Sequence, residues 1–391
     1  MQILDNSFPG QLIPVYSWAN QIESGALRQI GNLSSLPIAR LRIAIMPDVH
    51  QGYGMPIGGV LATSDYIVPN AVGVDIGCGM RTLQLGLAVR DLLPKLPRIL
   101  DDLLREIPTG FSHHNQALSS PVFKQMPMLQ VLQGEKDSAK KQLGTLGGGN
   151  HFIELQKDEQ DKAWLMIHSG SRNFGLQIAK EYHQKAQNWC QSQSIDLPDR
   201  DLAYLPLKSP DGQEYLAAMQ FAQDFARENR RLLMGQALAI LRRFGIKIDL
   251  DPDQGLDVHH NYAAFENYQG ERLLIHRKGA VRAGQAEKLI VPGSMGSPSY
   301  IGKGLGNELS FCTSAHGAGR QWSRKEALRK LSRAEVLQHM DQAGIALRKQ
   351  KMSDVAEECP QAYKDIDQVM QAQSDLVCIV HRLTPLGVIK G

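Results

Sequence analysis

The sequence predicts a mixed α/β or α+β chain with central mixed sheets and helices around them, and three observations carry that reading. Short β-rich runs recur along its length, long stretches show helical periodicity, and Gly and Pro are spread through short turn clusters rather than gathered in one linker. The strand candidates are Arg42–Met46, Val60–Ile67, Met80–Leu87, Ala163–His168, Arg272–His276 and Leu376–Leu383, each rich in β-branched or alternating apolar residues. Three stretches are helical by period. In Gln213–Phe244 the residues Met219, Ala222, Ala226, Leu233, Ala237 and Ile240 recur at helical steps and define one buried face. Ser323–Lys351 reads as a helix with Ser323 as its N-cap and charged residues outside. Pro108–Lys141 lacks clear periodicity and reads as loop-rich. With no repeat and no low-complexity tract, residues 1–391 are expected to form one composite domain.

Composition narrows the function classes. Lys and Arg number 43 against 40 Asp and Glu, so the net charge of +3 gives no broad basic field, and aromatic residues are 6%. Both argue against a general RNA-coating or chaperone-like protein. The five cysteines (Cys78, Cys190, Cys312, Cys359, Cys378) are scattered and odd in number, as in a reduced chain, so the expected location is cytoplasmic. Met1–Trp18 shows no basic segment followed by an apolar run, and no membrane span is expected.

The chemistry-bearing residues lie in five glycine-rich joints, where backbone can approach a ligand and polar side chains are not consumed by a core. AVGVDIGCGM at Ala71–Met80 aims Asp75 and Cys78 from one turn, a carboxylate and a thiolate able to hold or bridge metal ions. Alone, Cys78 reads more readily as a buried strand-end thiol. GTLGGGNHFIEL at Gly144–Leu155 sets Asn150 and His151 behind three glycines, with Glu154 on the following strand. IHSGSRNFG at Ile167–Gly175 ends a strand at His168 and leads to Arg172, a pairing suited to metal plus phosphate. VHHNYA at Val258–Ala263 offers His259 and His260, of which extended backbone can turn only one inward, leaving the other toward solvent. The last joint pairs VPGSMGSPSYI at Val291–Ile301 with SAHGAGRQWSR at Ser314–Arg324, placing His316 between Gly/Ser segments that free backbone N–H groups for phosphate, with Arg320 and Arg324 behind. Neither segment is a Walker A loop, since Gly304 follows Gly302 and Lys303 where Ser or Thr is required. The combination points to metal-assisted chemistry on a nucleotide or phosphate ester.

At this level of detail the chain resembles the RtcB family of RNA-splicing ligases. The strings that carry the resemblance are MPDVHQGYG (Met46–Gly54), VGVDIGCGM (Val72–Met80), GTLGGGNHFIE (Gly144–Glu154), HSGSR (His168–Arg172), HHNY (His259–Tyr262), RKGA (Arg277–Ala280), PGSMG (Pro292–Gly296), AHGAGR (Ala315–Arg320), AYKDID (Ala362–Asp367) and VIKG (Val388–Gly391). The resemblance runs from about residue 40 to the chain end, with Pro108–Lys141 matching nothing recognisable. It implies a single domain of the family's own α/β type. It also implies two Mn²⁺ ions held by Asp75, Cys78, His151, His168 and His260 with the Cys78 thiolate bridging, and a histidine, His316, that carries GMP. His260 rather than His259 is implied because the family's ligand directly precedes the asparagine, here Asn261.

GTP contacts implied in the same way fall on Asn150, His151, Phe152, Ile153 and Glu154; on His260 and Asn261; on Pro292, Gly293, Ser294, Met295 and Ser299; on His316, Gly317, Ala318 and Gly319; and on Tyr363 and Lys390. Arg172, Arg320 and Arg324 would bind RNA phosphates. The activity implied is GTP-dependent joining of RNA 2′,3′-cyclic phosphate or 3′-phosphate ends to 5′-hydroxyl ends, in tRNA splicing or RNA repair, with room for an archease-type activator. The competing reading is a metal-dependent phosphoesterase on RNA or nucleotide ends, which uses the same ligands but leaves His316 without a role. A ligase built on a Lys-x-Asp-Gly motif is excluded, because no lysine has that context.

Overall fold

A computed structural model describes all 391 residues. Two large sheets organise the chain. The first has six strands in the order Gln2–Leu4, Val15–Ser17, Ala39–His50, Ile57–Thr63, Glu271–Lys278 and Asn261–Tyr268. The second runs Leu256–His259, Gly79–Ala88, Lys162–Ser169, Phe152–Lys157, Val377–Lys390, Ser299–Gly304 and Lys288–Val291, with Ala346–Lys349 pairing parallel to Val377–Lys390 as its eighth strand. Its end strands Leu256–His259 and Lys288–Val291 come against each other, so the sheet curls toward a barrel. Apart from that parallel strand and the Val15–Ser17 pairing with Ala39–His50, the ladders are antiparallel.

Strict alternation explains the two faces of the second sheet, because successive side chains point to opposite sides. Phe152, Trp164, Met166 and Met80 turn inward and pack with Ile290, Leu383 and Val388. Ile153, Leu155, Leu165 and Ile167 turn outward and meet the helices Leu96–Glu106 and Pro210–Arg243. The first sheet does the same, sending Ile43 and Ile45 to one core and Ala44 and Met46 to another.

The helix Pro210–Arg243 ties these layers together. Its 34 residues span about 51 Å. Ser209 caps it, accepting a hydrogen bond from Gly212 N at 3.1 Å. Tyr215 to Phe225 pack into the first sheet's core and Leu233 to Leu241 into the second's. Between them sit Asn229 and Arg230, both fully buried. Arg230 grips Asp257 with two hydrogen bonds of 2.9 and 2.6 Å and donates from Nη1 to the carbonyls of Gly77 and Ser169, both at 2.9 Å. Asn229 accepts from Gly144 N at 2.7 Å and donates to Thr145 O and Ser169 Oγ. One turn of helix therefore fixes the three glycine-rich joints that follow Ala71, Gly144 and Ile167.

Several sequence expectations need correction. Val60–Ile67 is interrupted: Ile57–Thr63 ends before Ser64, and Tyr66–Ile67 pairs elsewhere, with Leu205–Pro206. Ser323–Lys351 is two helices and a strand. Ser323 caps Arg324–Lys330 as expected, but Ser332 with Glu335 forms a capping box that starts a second helix, Arg333–Gln342, and Ala346–Lys349 joins the sheet. Pro108–Lys141 is not all loop, because Gln130–Gln142 is helical. That helix buries only Leu132, Ala139 and Gln142, so it has almost no apolar stripe to detect.

Replacing Arg230 with Met should cost about 3 kcal/mol of stability, since buried Asp257 would lose its two-pronged partner and keep only Arg81, and the carbonyls of Gly77 and Ser169 would lose their donor. Urea unfolding reads the difference. Stability unchanged from wild type would show that the ion pair is not what holds these joints.

Candidate active site

The glycine-rich joints converge at one end of the second sheet. Cys78 lies just before the strand Gly79–Ala88, His151 just before Phe152–Lys157, and His168 at the end of Lys162–Ser169. Met80 and Phe152 both stand opposite His168, which brings the three strand ends into register. His260 occupies the single residue between Leu256–His259 of the second sheet and Asn261–Tyr268 of the first, so it sits where the two sheets meet.

Around Cys78 Sγ these side chains form two donor groups with the sulfur in common: Cys78, His168 and His260, and Asp75, Cys78 and His151, with the donor atoms of each group within 4.8 Å of one another. Sγ lies 3.3 Å from His168 Nε2 and 3.5 Å from His151 Nε2. His168 Nε2 and His260 Nε2 are 3.4 Å apart, and His151 Nε2 is 3.2 Å from Asp75 Oδ2. The opposite nitrogens of two rings are engaged: His151 Nδ1 donates to Leu146 O at 2.9 Å and His168 Nδ1 to Asn150 O at 3.2 Å. Those bonds orient the two rings with Nε2 turned inward, His168 Nε2 toward the sulfur and His151 Nε2 between the sulfur and Asp75.

Electrostatics make this centre electron-rich. Burial holds His168 and His260 well below the ordinary imidazole range, and nearby imidazoles add to the effect. Burial, with Asp75, pushes the Cys78 thiol well up. Burial works against the charge of Asp75, but His151 prevails and its carboxyl is held low. Lone pairs that face one another, and a buried His260 Nδ1 with no partner, are unfavourable unless a cation takes them up. The set is soft sulfur, imidazole and one carboxylate, and it fits divalent transition metals.

A cavity of about 790 Å³ opens beside this centre. His316 lines it, its ring centroid 4.8 Å from that of His260. His316 follows the short strand Thr313–Ala315, and Asp48, fully buried on Ala39–His50, fixes it from behind. Asp48 Oδ2 accepts from His316 Nδ1 at 2.7 Å and from the His316 backbone N at 3.1 Å. Nδ1 therefore carries the proton, and Nε2 keeps its lone pair. Two glycines permit this approach. At Gly319 (φ 74°) a Cβ would stand 2.1 Å from Asp48 O, and at Gly279 (φ 58°) it would stand 3.0 Å from His316 Cε1.

The opposite wall is cationic. Glu358 is buried, and burial would raise its pKa, yet Lys390, Arg320 and Arg324 together pull it below the ordinary range. Arg320 lies 3.2 Å and Arg324 3.3 Å from Glu358 Oε1, Lys390 Nζ lies 3.8 Å from Oε2, and the Tyr363 hydroxyl donates to Oε2. With Glu357 also 3.8 Å from Arg324, three cations still outnumber the two carboxylates and leave positive charge facing the cavity, the environment a phosphate chain requires. Lys390 is not a mobile terminal lysine. It is buried on a strand, donates to Asn150 O at 3.1 Å, and is drawn down to about 8 by that burial.

Most residues picked out from the sequence come together here. Asn150, Phe152, His260, Asn261, Pro292, Gly293, Ser294, Met295, His316, Gly317, Ala318, Gly319, Tyr363 and Lys390 line the cavity, as do Asp75, Cys78, His168, Arg320 and Arg324. Four expected nucleotide contacts do not line it. Ile153 points to the outer core, where strand alternation sends it. Glu154 is buried against Gln156 and raised to about 8, Ser299 lies under Gly293, accepting from its N–H, and His151 faces only the metal-type donors. Arg172 also lies off the cavity wall, bonded to Thr145 Oγ1 and Gly110 O. His259 is not the solvent-facing partner of His260: Nδ1 lies 3.0 Å from Gly77 O and 3.2 Å from Arg230, and burial drops its pKa to about 3. Sequence reading missed Asp48, Glu358 and Lys278, a buried cavity-lining lysine that burial draws to about 7.

Comparison with known proteins agrees with this geometry. A family model described as tRNA-splicing ligase RtcB matches residues 29–129 and 123–391. The RNA-splicing ligase RtcB of Escherichia coli K12 is 37% identical over 401 residues, covering 97% of each chain. The RNA-splicing ligase RtcB of Mycobacterium bovis is 35% identical, covering 93% of this chain and all of the relative, and the tRNA-splicing ligase RtcB of Archaeoglobus fulgidus is 32% identical, covering 98% and 95%.

Because Cys78 is the donor common to both groups, Cys78→Ala should weaken binding of a divalent transition metal by more than the roughly 10- to 100-fold that losing an outer hydrogen-bond partner costs. Calorimetric titration measures it. Two wild-type binding events in that variant would exclude the shared sulfur as a ligand.

Proposed function

The chain belongs to the RtcB family of tRNA-splicing ligases, and on that premise we propose that it joins RNA 3′-phosphate or 2′,3′-cyclic phosphate ends to 5′-hydroxyl ends, using GTP and two Mn²⁺ ions. The observation that carries the reading is His316: a histidine whose Nδ1 is committed to a buried Asp48, whose other nitrogen is free, and which stands between a metal-type donor set and a cationic wall. A phosphoesterase would use this histidine only to move a proton to or from water, whereas the ligase reading makes it the nucleophile, and a GTP-derived adduct on His316 separates the two.

In this reading His316 Nε2 attacks the α-phosphorus of GTP, the bond to the β-phosphate oxygen breaks, and pyrophosphate leaves. The imidazole gains positive charge as the P–N bond forms, and Asp48, already hydrogen-bonded to Nδ1, stabilises it. Arg320, Arg324 and Lys390 face the phosphate oxygens and hold them in line. Asp75, Cys78, His151, His168 and His260 would hold the two metal ions, which when bound supply Lewis-acid stabilisation of charge on phosphate oxygens and activation of a hydroxyl. A cyclic phosphate is first hydrolysed: water adds to its phosphorus, the bond to the 2′-oxygen breaks, and that oxygen takes a proton, leaving a 3′-phosphate beside a 2′-hydroxyl. An oxygen of that 3′-phosphate then attacks the phosphorus on His316, the P–N bond breaks, and GMP passes to the RNA end. Attack by the 5′-hydroxyl on the activated 3′-phosphate expels GMP and closes the phosphodiester.

Both sheets contribute to this one centre, which supports reading residues 1–391 as a single ligase unit. The partners in this reading are RNA and GTP, with an archease-type activator as an accessory. Arg320 and Arg324, and Arg172 from the far side of the glycine loop, are the RNA phosphate candidates. No helix of the chain is long and apolar enough to cross a membrane, and action in the cytoplasm is part of the proposal.

An RNA with a labelled 3′-phosphate, mixed with a 5′-hydroxyl RNA, GTP and Mn²⁺, should give a joined product that keeps the label at the junction. Release of the label as free phosphate, or joining of 5′-phosphate to 3′-hydroxyl ends, would contradict the proposal.

A further inference from the structure

Phe111 is the most exposed large apolar residue of the chain, with its side chain entirely in solvent. Exposed apolar groups are ordinary when a mobile loop carries them, but this loop is fixed. Leu146 N donates to Pro108 O at 2.9 Å and Gly110 N to Gly147 O at 2.7 Å, so the segment pairs with the glycine loop. Ser112 N closes a turn onto Thr109 O at 3.0 Å, and His114 N bonds Lys141 O at 3.0 Å. Arg172 clamps the same turn, donating to Gly110 O at 3.1 Å. A rigid backbone thus holds an unpaired aromatic ring in water.

Its location gives the ring a use. Gly147, to which Gly110 bonds, lies beside the donor cluster: a Cβ there would stand 2.6 Å from His151 Nδ1. Two residues on, a Cβ at Gly149 would stand 2.9 Å from a guanidinium nitrogen of Arg324, a side chain half-exposed to solvent and 3.8 Å from Glu357. His113 sits in the positive field of Arg172 and Lys141. The turn that carries Phe111 is thus bonded by Arg172 at Gly110, runs on to His114 against the backbone of Lys141, and lies against Gly148, one residue from the glycine that Arg324 abuts on the cavity wall. An exposed aromatic ring on such a turn is complementary to single-stranded RNA, whose bases stack while its phosphates pair with cations. An RNA strand is favoured over a protein partner because it alone would use the ring and the adjoining phosphate-type cavity together.

We propose that Phe111 is a stacking platform for an unpaired nucleobase near the RNA end whose phosphate enters the main cavity. The proposal rests on the ligase reading for the identity of the strand. It assigns a role to the one segment, Pro108–Lys141, that matched no recognisable motif.

The test is equilibrium binding of a 3′-phosphorylated single-stranded oligoribonucleotide to the full chain, without GTP, by fluorescence anisotropy. Phe111→Ala should weaken binding by about tenfold, within the range that removal of one stacked base produces, and Phe111→Trp should restore it. A scan of single abasic substitutions should find one position that costs the wild type a similar factor and costs Phe111→Ala nothing further. Equal binding by wild type and Phe111→Ala, or an abasic penalty of the same size in both, would overturn the proposal. So would wild-type self-association in sedimentation that disappears in Phe111→Ala without any change in RNA affinity. A wild-type protein that binds RNA through Phe111 yet forms no adduct with GTP would sink the ligase reading and leave the platform standing.

Discussion

A guanidinium with no access to water must have every face answered, and Arg230 meets that demand in a way that shapes the whole site. Its partners are a carboxylate, Asp257, at the start of the strand leading to His260, and two carbonyls, those of Gly77 and Ser169, each adjoining a metal-type donor. The joints bearing Cys78, His168 and His260 come from separate parts of the sequence and have no local reason to meet. The helix that carries Arg230 is held at both ends by apolar packing in different cores, so it works as a strut whose polar middle sets the spacing of the donors.

The cavity beyond that strut divides into two regions of opposite character. Around Cys78 the sulfur, imidazole and carboxylate donors crowd together in a buried space, a condition that favours cations. Around Glu358 three cations outnumber the carboxylates of Glu358 and Glu357, a condition that favours anions. His316 lies on the boundary, with Asp48 behind it. A metal-bound nucleotide triphosphate satisfies both regions at once, which is why the arrangement suits nucleotidyl transfer better than a simple hydrolytic site.

The legible part of this design was the part written in glycine-rich joints. Asp75, Cys78, His151, His168, His260 and His316 each stand where a core has no use for them, and the structure gathers them. Asp48 and Glu358 were not legible, because each is a lone carboxylate whose role depends on a partner far away in sequence, at 268 residues for His316 and 34 or more for Arg324 and Arg320. Asn229 and Arg230 left a signal that periodicity could have caught: they fall between Ala226 and Leu233 on the very stripe expected to be buried, and a polar residue there must have a buried partner. The strand readings were sound where alternation or apolar runs were strong. They failed at Val60–Ile67, where a two-residue turn sends the chain to a different partner, and the helix reading failed at Ser323–Lys351, where the capping signal of Ser332 and Glu335 was masked by continuous charged residues. Likewise Ile153 shared a motif with true cavity residues, yet strand alternation turns it away.

If His316 Nε2 is the nucleophile of the ligase reading, incubation with GTP and Mn²⁺ followed by intact-mass measurement and peptide mapping will find a mass increase of one GMP, confined to the peptide holding His316. That adduct should be lost on mild acid treatment, stable to alkali and absent from a folded His316→Ala variant. An adduct on any other residue, or an adduct of equal yield in that variant, would contradict that reading.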